Sequence, residues 1–369
     1  MMRVLLAFNH SRVVGGGEIY FSELAKSLLT EQKINIAVFI PGEGEIKKEL
    51  SEKGAEKIFT SNMPSLKNFP QFIKSLKELR DILKIFSPDI IHVNGSRAMI
   101  YFSLLKAMNF KNSKFKLIWH VRISKKDYPD PFLFLLSDGI IANSFKTLKK
   151  RFGYLSKTFP RKKIKVIYNG INLSIRDRVK EKIENGTREK IKKFLGLKEI
   201  VISSYGRLEE GKGFDLLVLA CERLKDRSNF SLLITGYGPM KDKLEKYAKK
   251  THLVLPGYMK VEDILAISDV VVFPSLIDSF GNVVLEAMAC GIPQIVSRFS
   301  GASEIIENMK SALVVNPKNI KELSLSIKTL IEDEELRKKL SENSLKKSED
   351  FSIEKHKERV INFYEEVLR

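Results

Sequence analysis

Short apolar runs alternate with helical patterns along this chain in two successive series, and that alternation restricts the fold more than any other property of the sequence. The first series places strands at Arg3 to Phe8, Ile34 to Ile40, Ile90 to Val93, Leu117 to Val121, Gly139 to Ala142 and Ile164 to Ile167. The second places them at Ile200 to Ser204, Ser231 to Thr235, His252 to Leu255, Val270 to Phe273, Pro293 to Ser297 and Ala312 to Val315. Unbroken apolar strands are buried on both faces, and repeated βα alternation predicts a parallel, doubly wound sheet. Two α/β domains are therefore expected, over residues 1–170 and 197–351. Between them, residues 171–196 turn polar and charged and read as a linker with a helix. The last segment, 352–369, offers Ile353, Val360, Phe363, Tyr364 and Val367 for burial and is expected to pack back across the junction.

A chain of 369 residues has enough sequence for two cores. No apolar run has the length of a membrane span, and MMRVLLAFNH starts directly in a strand without a signal-peptide layout, so a cytoplasmic location is expected. Cys221 and Cys290 lack ligand-like neighbours and indicate neither a disulfide framework nor a zinc site. The formal net charge of +19, from 64 basic and 45 acidic residues, implies an anionic partner or surface. Nucleic acid, anionic lipid and phosphorylated substrates all satisfy charge alone. No nucleic-acid module accompanies it, and the basic clusters lack interleaved aromatics, so nucleic acid is not the expected partner. Leu66 to Phe86 reads as a helix packed on the sheet with a solvated basic face. Lys146, Lys149 and Lys150, followed by Arg161, Lys162, Lys163 and Lys165, are the better candidate for contact with an anionic membrane surface at its inner face.

The chemistry concentrates in Ser268 to Glu304 (SDVVVFPSLIDSFGNVVLEAMACGIPQIVSRFSGASE). A buried strand ends at Pro274, a loop follows, and a helix opens at about Gly281. There Phe280, Gly281, Asn282 and Val283 present the first amides of the helix to an anion. Asp278 in the loop and Glu286 on the helix suit sugar hydroxyls on either side of a phosphate, because a carboxylate accepts hydrogen bonds but repels the phosphate itself. The implied ligand is a diphosphate carrying two sugars, one of which could be the ribose of a nucleotide. Upstream, GRLEEGKGF (Gly206 to Phe214) places Arg207 and Lys212 at the carboxyl end of a parallel strand, where they could grip a diphosphate. TGYGP supplies Gly236 and Gly238 for close backbone approach, and LPGY, with Tyr258, could form a nucleobase slot. In the first half, Gly15, Gly16 and Gly17 form a glycine turn that fits neither the dinucleotide fingerprint nor a P-loop. His120 and Arg122 end the strand in IWHVR.

Taken in order, GGGE, YNGIN, GRLEEGKGF, TGYGP, PGY and DSFGNVVLEAMACGIPQIV resemble a retaining nucleotide-sugar glycosyltransferase of the GT4 (group 1) family. The likeness covers nearly the whole chain and is most specific in the second half. It implies GT-B architecture, two Rossmann-like domains facing a cleft, with acceptor bound by the N-terminal domain, donor by the C-terminal one, and no required metal or cofactor. By resemblance Arg207 and Lys212 are the diphosphate-binding cations, Phe280, Gly281 and Asn282 the backbone at the diphosphate and sugar, and Glu286 the ribose ligand. His120 would contact the donor sugar, and Arg122 the acceptor or a phosphate. Asp278 stands where the family usually has Glu, which shortens its reach by about 1 Å. The implied reaction transfers a hexose or N-acetylhexosamine, carried on UDP or GDP, to a sugar or lipid-linked acceptor in polysaccharide or lipopolysaccharide assembly. A nucleotide-sugar epimerase or phosphorylase of the same architecture, a fold that only binds nucleotide sugar and, on charge alone, a nucleic-acid-binding protein remain the alternatives.

Overall fold

In a computed structural model, residues 1–108, 115–224 and 229–369 are described, and they form two compact units. The first comprises Met1–Gly170 with Ile353–Arg369, the second Ile171–Ser352.

The first unit holds seven parallel strands: β1 (Met2–Ala7), β2 (Ile34–Ile40), β3 (Ile58–Thr60), β4 (Ile90–Asn94), β5 (Lys116–Val121), β6 (Gly139–Ala142) and β7 (Lys163–Val166), in the order β3-β2-β1-β4-β5-β6-β7. Strand β3 lies outside the predicted set; three residues at a sheet edge are too short to show a pattern. Residues of β1 alternate between two cores, Leu5 and Ala7 on one side, Val4 and Leu6 on the other, as a sheet covered on both faces demands. The second core is closed by the C-terminal helix Ile353–Leu368, whose Val360, Phe363, Tyr364 and Val367 are almost fully buried. Each such side chain contributes roughly 1.5–3 kcal/mol, which explains why the chain end returns to this unit. The amphipathic segment near Leu66 forms the helix Phe69–Phe86, packed through Phe72, Leu76, Leu79 and Phe86 as expected.

The second unit has six parallel strands: β8 (Ile200–Tyr205), β9 (Phe230–Thr235), β10 (Leu253–Val254), β11 (Val270–Phe273), β12 (Gln294–Ser297) and β13 (Leu313–Val315), in the order β10-β9-β8-β11-β12-β13. In both sheets the strand order reverses beside the first strand, between β1 and β4 and between β8 and β11, and the crevice at such a reversal receives ligands.

One correction concerns residues 171–196. They are not a free linker: they form the helices Ile175–Glu184 and Thr187–Phe194 and belong to the second unit. Their charges, which made them look solvated, are spent on partners there. Arg176 donates to the Ala289 carbonyl at 2.7 Å, Lys182 pairs with Asp263 at 2.7 Å, and Arg188 with Asp269 at 2.8 Å.

Candidate active site

In the second unit the strand ends are stitched into one surface. Gly206 N–H donates to the Thr235 carbonyl at 3.0 Å, Gly236 N–H to Gly257 at 2.8 Å, and Leu208 N–H to Tyr237 at 2.8 Å. The glycines serve this stitching. A Cβ on Gly236, whose φ is +138°, would lie 1.8 Å from the Gly206 carbonyl oxygen, and one on Gly238 would lie 2.3 Å from that of Leu208. Neighbouring chain fills the side-chain position of both glycines, which accounts for them without a ligand. Tyr258 and the neighbouring Tyr237 stay largely exposed, the Tyr237 ring lying against the Gly257 turn.

Lys212 and Asp278 meet. Lys212 Nζ is 2.9 Å from Asp278 Oδ2, while Asp278 Oδ1 accepts from the Phe280 amide at 3.3 Å. The short carboxylate thus closes its own turn and holds the cation. Ser300 Oγ donates to the Phe280 carbonyl at 2.7 Å, so the turn is fixed from β12's side as well. Gly281, at φ +88°, precedes the helix Asn282–Ala289, and because Asp278 holds both Lys212 and the Phe280 amide, the positive end of that helix lies beside the Lys212 ammonium. Arg207 is exposed and pairs with Glu209 at 3.0 Å.

Glu286 sits farther along that helix, its Oε2 2.9 Å from the Tyr205 hydroxyl at the end of β8. The same hydroxyl is 3.3 Å from the Val283 carbonyl, so one O–H is shared between two acceptors. Burial, only partly offset by the Tyr205 hydrogen bond, pushes the Glu286 carboxyl up to about 7. A carboxylate poised in this way gains most from new hydroxyl donors.

In the first unit, Gly15 and Gly17 differ from the glycines of the second: a Cβ on either would meet nothing within 4 Å. Arg122 braces this turn. Its guanidinium donates to the carbonyls of Gly17 at 2.9 Å and Gly16 at 3.4 Å and lies 3.7 Å above the Tyr20 ring. Burial lowers its pKa to about 10.

His120 is buried with its ring parallel to that of His92 within 7° and edge to edge with it, Nδ1 lying 3.0 Å from His92 Nε2. His92 Nδ1 is 2.6 Å from the Tyr364 hydroxyl on the C-terminal helix. Nearby, His356 Nδ1 donates to the Tyr168 carbonyl at 2.7 Å, so its Nε2 accepts from Tyr20. Burial holds His92, His120 and His356 below the usual histidine range, hence neutral. One proton per ring couples the chain. If Tyr364 donates to His92, then His92 donates to His120 and His120 Nε2 carries the proton; if the chain reverses, Nε2 is an acceptor. That Nε2 is buried and has no hydrogen-bond partner among the described residues.

The family model for glycosyl transferases group 1 matches residues 187–347, and that for glycosyltransferase family 4 matches residues 14–175. The chain belongs to the group 1, family 4 glycosyltransferases. Within this family it is 32% identical over 231 residues to an uncharacterized glycosyltransferase of Methanocaldococcus jannaschii, covering 59% of this chain and 58% of that one. It is also 32% identical over 183 residues to the N-acetylgalactosamine-N,N'-diacetylbacillosaminyl-diphospho-undecaprenol 4-alpha-N-acetylgalactosaminyltransferase of Campylobacter jejuni, covering 48% of this chain and 47% of that protein. The chain thus spans about half the length of the curated relatives it matches. The crystal structure of Anabaena Alr3699/HepE in complex with UDP and glucose superimposes with a TM-score of 0.78 at 19% identity, covering 98% of this chain and 99% of the other. The fold is GT-B.

Of the family's expected residues, the structure joins Lys212, Asp278, Phe280, Gly281 and Asn282 at one helix end, and joins Glu286 to Val283 through Tyr205. Arg207, exposed, is paired with Glu209 instead. Sequence reasoning missed Tyr205, His92, Tyr20 and Tyr364. Of these only His92 left a trace, as a second histidine near the end of a neighbouring strand in IIHVN.

Proposed function

We propose that this chain transfers a hexose or N-acetylhexosamine from a nucleoside diphosphate to a sugar or lipid-linked acceptor, with retention at the anomeric carbon. The observation that carries the reading is the helix Asn282–Ala289: its amino end stands beside the Lys212–Asp278 pair and, farther along, it carries a carboxylate that would gain from hydroxyl donors. A diphosphate takes the first and a ribose diol the second. The bond between the anomeric carbon and the diphosphate breaks, the acceptor oxygen bonds to that carbon from the same face, and the acceptor proton passes to the departing diphosphate. Lys212, Arg207 and the helix amides neutralise the leaving group, so catalysis rests on orientation and electrostatics. In the first unit, the glycine turn braced by Arg122 takes the acceptor hydroxyls. The undecaprenol-linked acceptor in the name of the Campylobacter relative favours a lipid-linked acceptor and a role in surface-polysaccharide assembly on the cytoplasmic side.

Thermal-shift screening against UDP, GDP, ADP and their sugars tests this. One nucleotide should raise Tm by about 5 °C at a hundredfold excess over Kd. Absence of any nucleotide-selective shift would remove the donor assignment, and epimerisation of the donor without acceptor would replace transfer.

A further inference from the structure

The sequence marks a basic cluster in the first unit, and the structure sorts its members. Lys162 is turned inward, donating to the Leu135 and Ser137 carbonyls at the end of the helix Asp130–Leu136, and Lys163 and Lys165 are both tied to Glu366. Lys125, Lys126, Lys149, Lys150, Lys157 and Arg161 remain exposed. Acidic residues do not balance them. Residues 122–165 contain three, of which Asp130 is committed to Arg151 and Asp138 to Lys106, leaving Asp127.

The same segments expose large apolar side chains at unusual density: Tyr128 is 100% exposed, Tyr154 79%, Phe145 60%, Leu135 54%, Phe132 48% and Phe159 40%. The two helices that carry most of them pack together, the Phe134 ring 5.4 Å from that of Phe152. Phe132 and Leu135 are one turn apart on the helix Asp130–Leu136, and Leu135 and Phe159 line a cavity of about 510 Å³ together with Arg161. Tyr154 lies on the helix Phe145–Thr158, one turn after Lys150 and one before Lys157. The loop that offers Tyr128 is anchored, because the buried Arg151 grips both oxygens of Asp130, at 2.6 and 2.8 Å, and the Ile123 carbonyl at 3.1 Å.

We infer that this face, formed by loop 123–129 and the helices Asp130–Leu136 and Phe145–Thr158, docks on an anionic lipid bilayer. Aromatic and aliphatic side chains enter the headgroup boundary while the lysines meet the lipid phosphates above it, their stems covering apolar surface. Contrary to the sequence reading, aromatics do lie among these lysines; it is the exposed Leu135 and Ile123 that argue against nucleic acid, since an aliphatic side chain offers no base-stacking surface. The loop leaves β5 directly after His120 and Arg122, so docking would bring a lipid-anchored acceptor to that strand end. That last step rests on the transferase reading; the docking itself does not.

Flotation of the whole chain with vesicles tests the inference. Binding is expected to vesicles of about three parts phosphatidylcholine to one part phosphatidylglycerol, weak binding to phosphatidylcholine alone, and loss of binding as salt rises. Each of Lys149→Gln and Lys150→Gln should lower partitioning about fivefold, and Tyr128→Ser with Leu135→Ser at least tenfold. Phe69→Ser, at an exposed aromatic on another helix, should change nothing and serves as the control for general stickiness. Unchanged circular dichroism and nucleotide-induced Tm shift keep these variants folded and separate docking from donor binding. The inference fails if no vesicle binds, if the control weakens binding equally, or if only the lysine variants matter and RNA displaces the vesicles.

Discussion

Lys212 Nζ and Asp278 Oδ2 stand 2.9 Å apart, so the cation beside the helix end is held in place by a carboxylate one methylene shorter than the Glu usual in this family. Because Asp278 also accepts the Phe280 amide, the pair orients the ammonium without lengthening the turn. Lys212→Ala is expected to lower kcat by about 10²–10³-fold, the cost of removing one charge aimed at a departing diphosphate, while Tm moves by no more than a few degrees. Steady-state kinetics beside a melting curve would show it, and near-normal turnover would end the assignment.

Glu286 titrates in the folded protein at about 7, against 4.5 for its ordinary value. Between those pH values the unfolded chain has lost the proton that the native state keeps, so stability falls as pH rises through this window and levels off above it. Glu286→Gln removes that loss. The variant should match the wild type near pH 4.5 and exceed it above pH 7 by on the order of 2–4 kcal/mol. Urea denaturation across the range measures the gap; a constant difference would contradict the raised pKa.

Tyr364 reaches His120 only through His92. Tyr364→Phe should cost about 1–3 kcal/mol, because His92 Nδ1 loses its buried partner. It should also release the tautomer of His120. Nitrogen NMR of labelled histidines would then report a mixture at His120 where the wild type shows one form. A variant that loses stability but keeps a single tautomer would show the hydroxyl to be structural only.

Glycines that look alike in sequence should behave differently. Gly236→Ala forces a Cβ to within 1.8 Å of the Gly206 carbonyl and should destabilise by at least ~2 kcal/mol. Gly17→Ala meets open space inside a helix and should leave stability unchanged or raise it by up to about 1 kcal/mol, yet lower turnover. Paired denaturation and activity measurements separate the two roles; equal destabilisation would refute the distinction.

Much of this architecture is written locally, since burial on two faces forces continuous apolar runs, and twelve of the thirteen strands among the described residues show in the sequence itself. The cations, carboxylates and helix end of the second unit were legible for a related reason: they fall on consecutive strand ends, which a parallel sheet brings to one edge. Tertiary structure alone decided the rest. No local pattern could bring Tyr364 to His92 across 272 residues, spend the charges of 171–196 on one unit, or tell a glycine covered by the next loop from one facing open space. Periodicity reports only which face of an element is buried, whereas a partner distant in sequence is chosen by how the sheets, loops and returning helix pack.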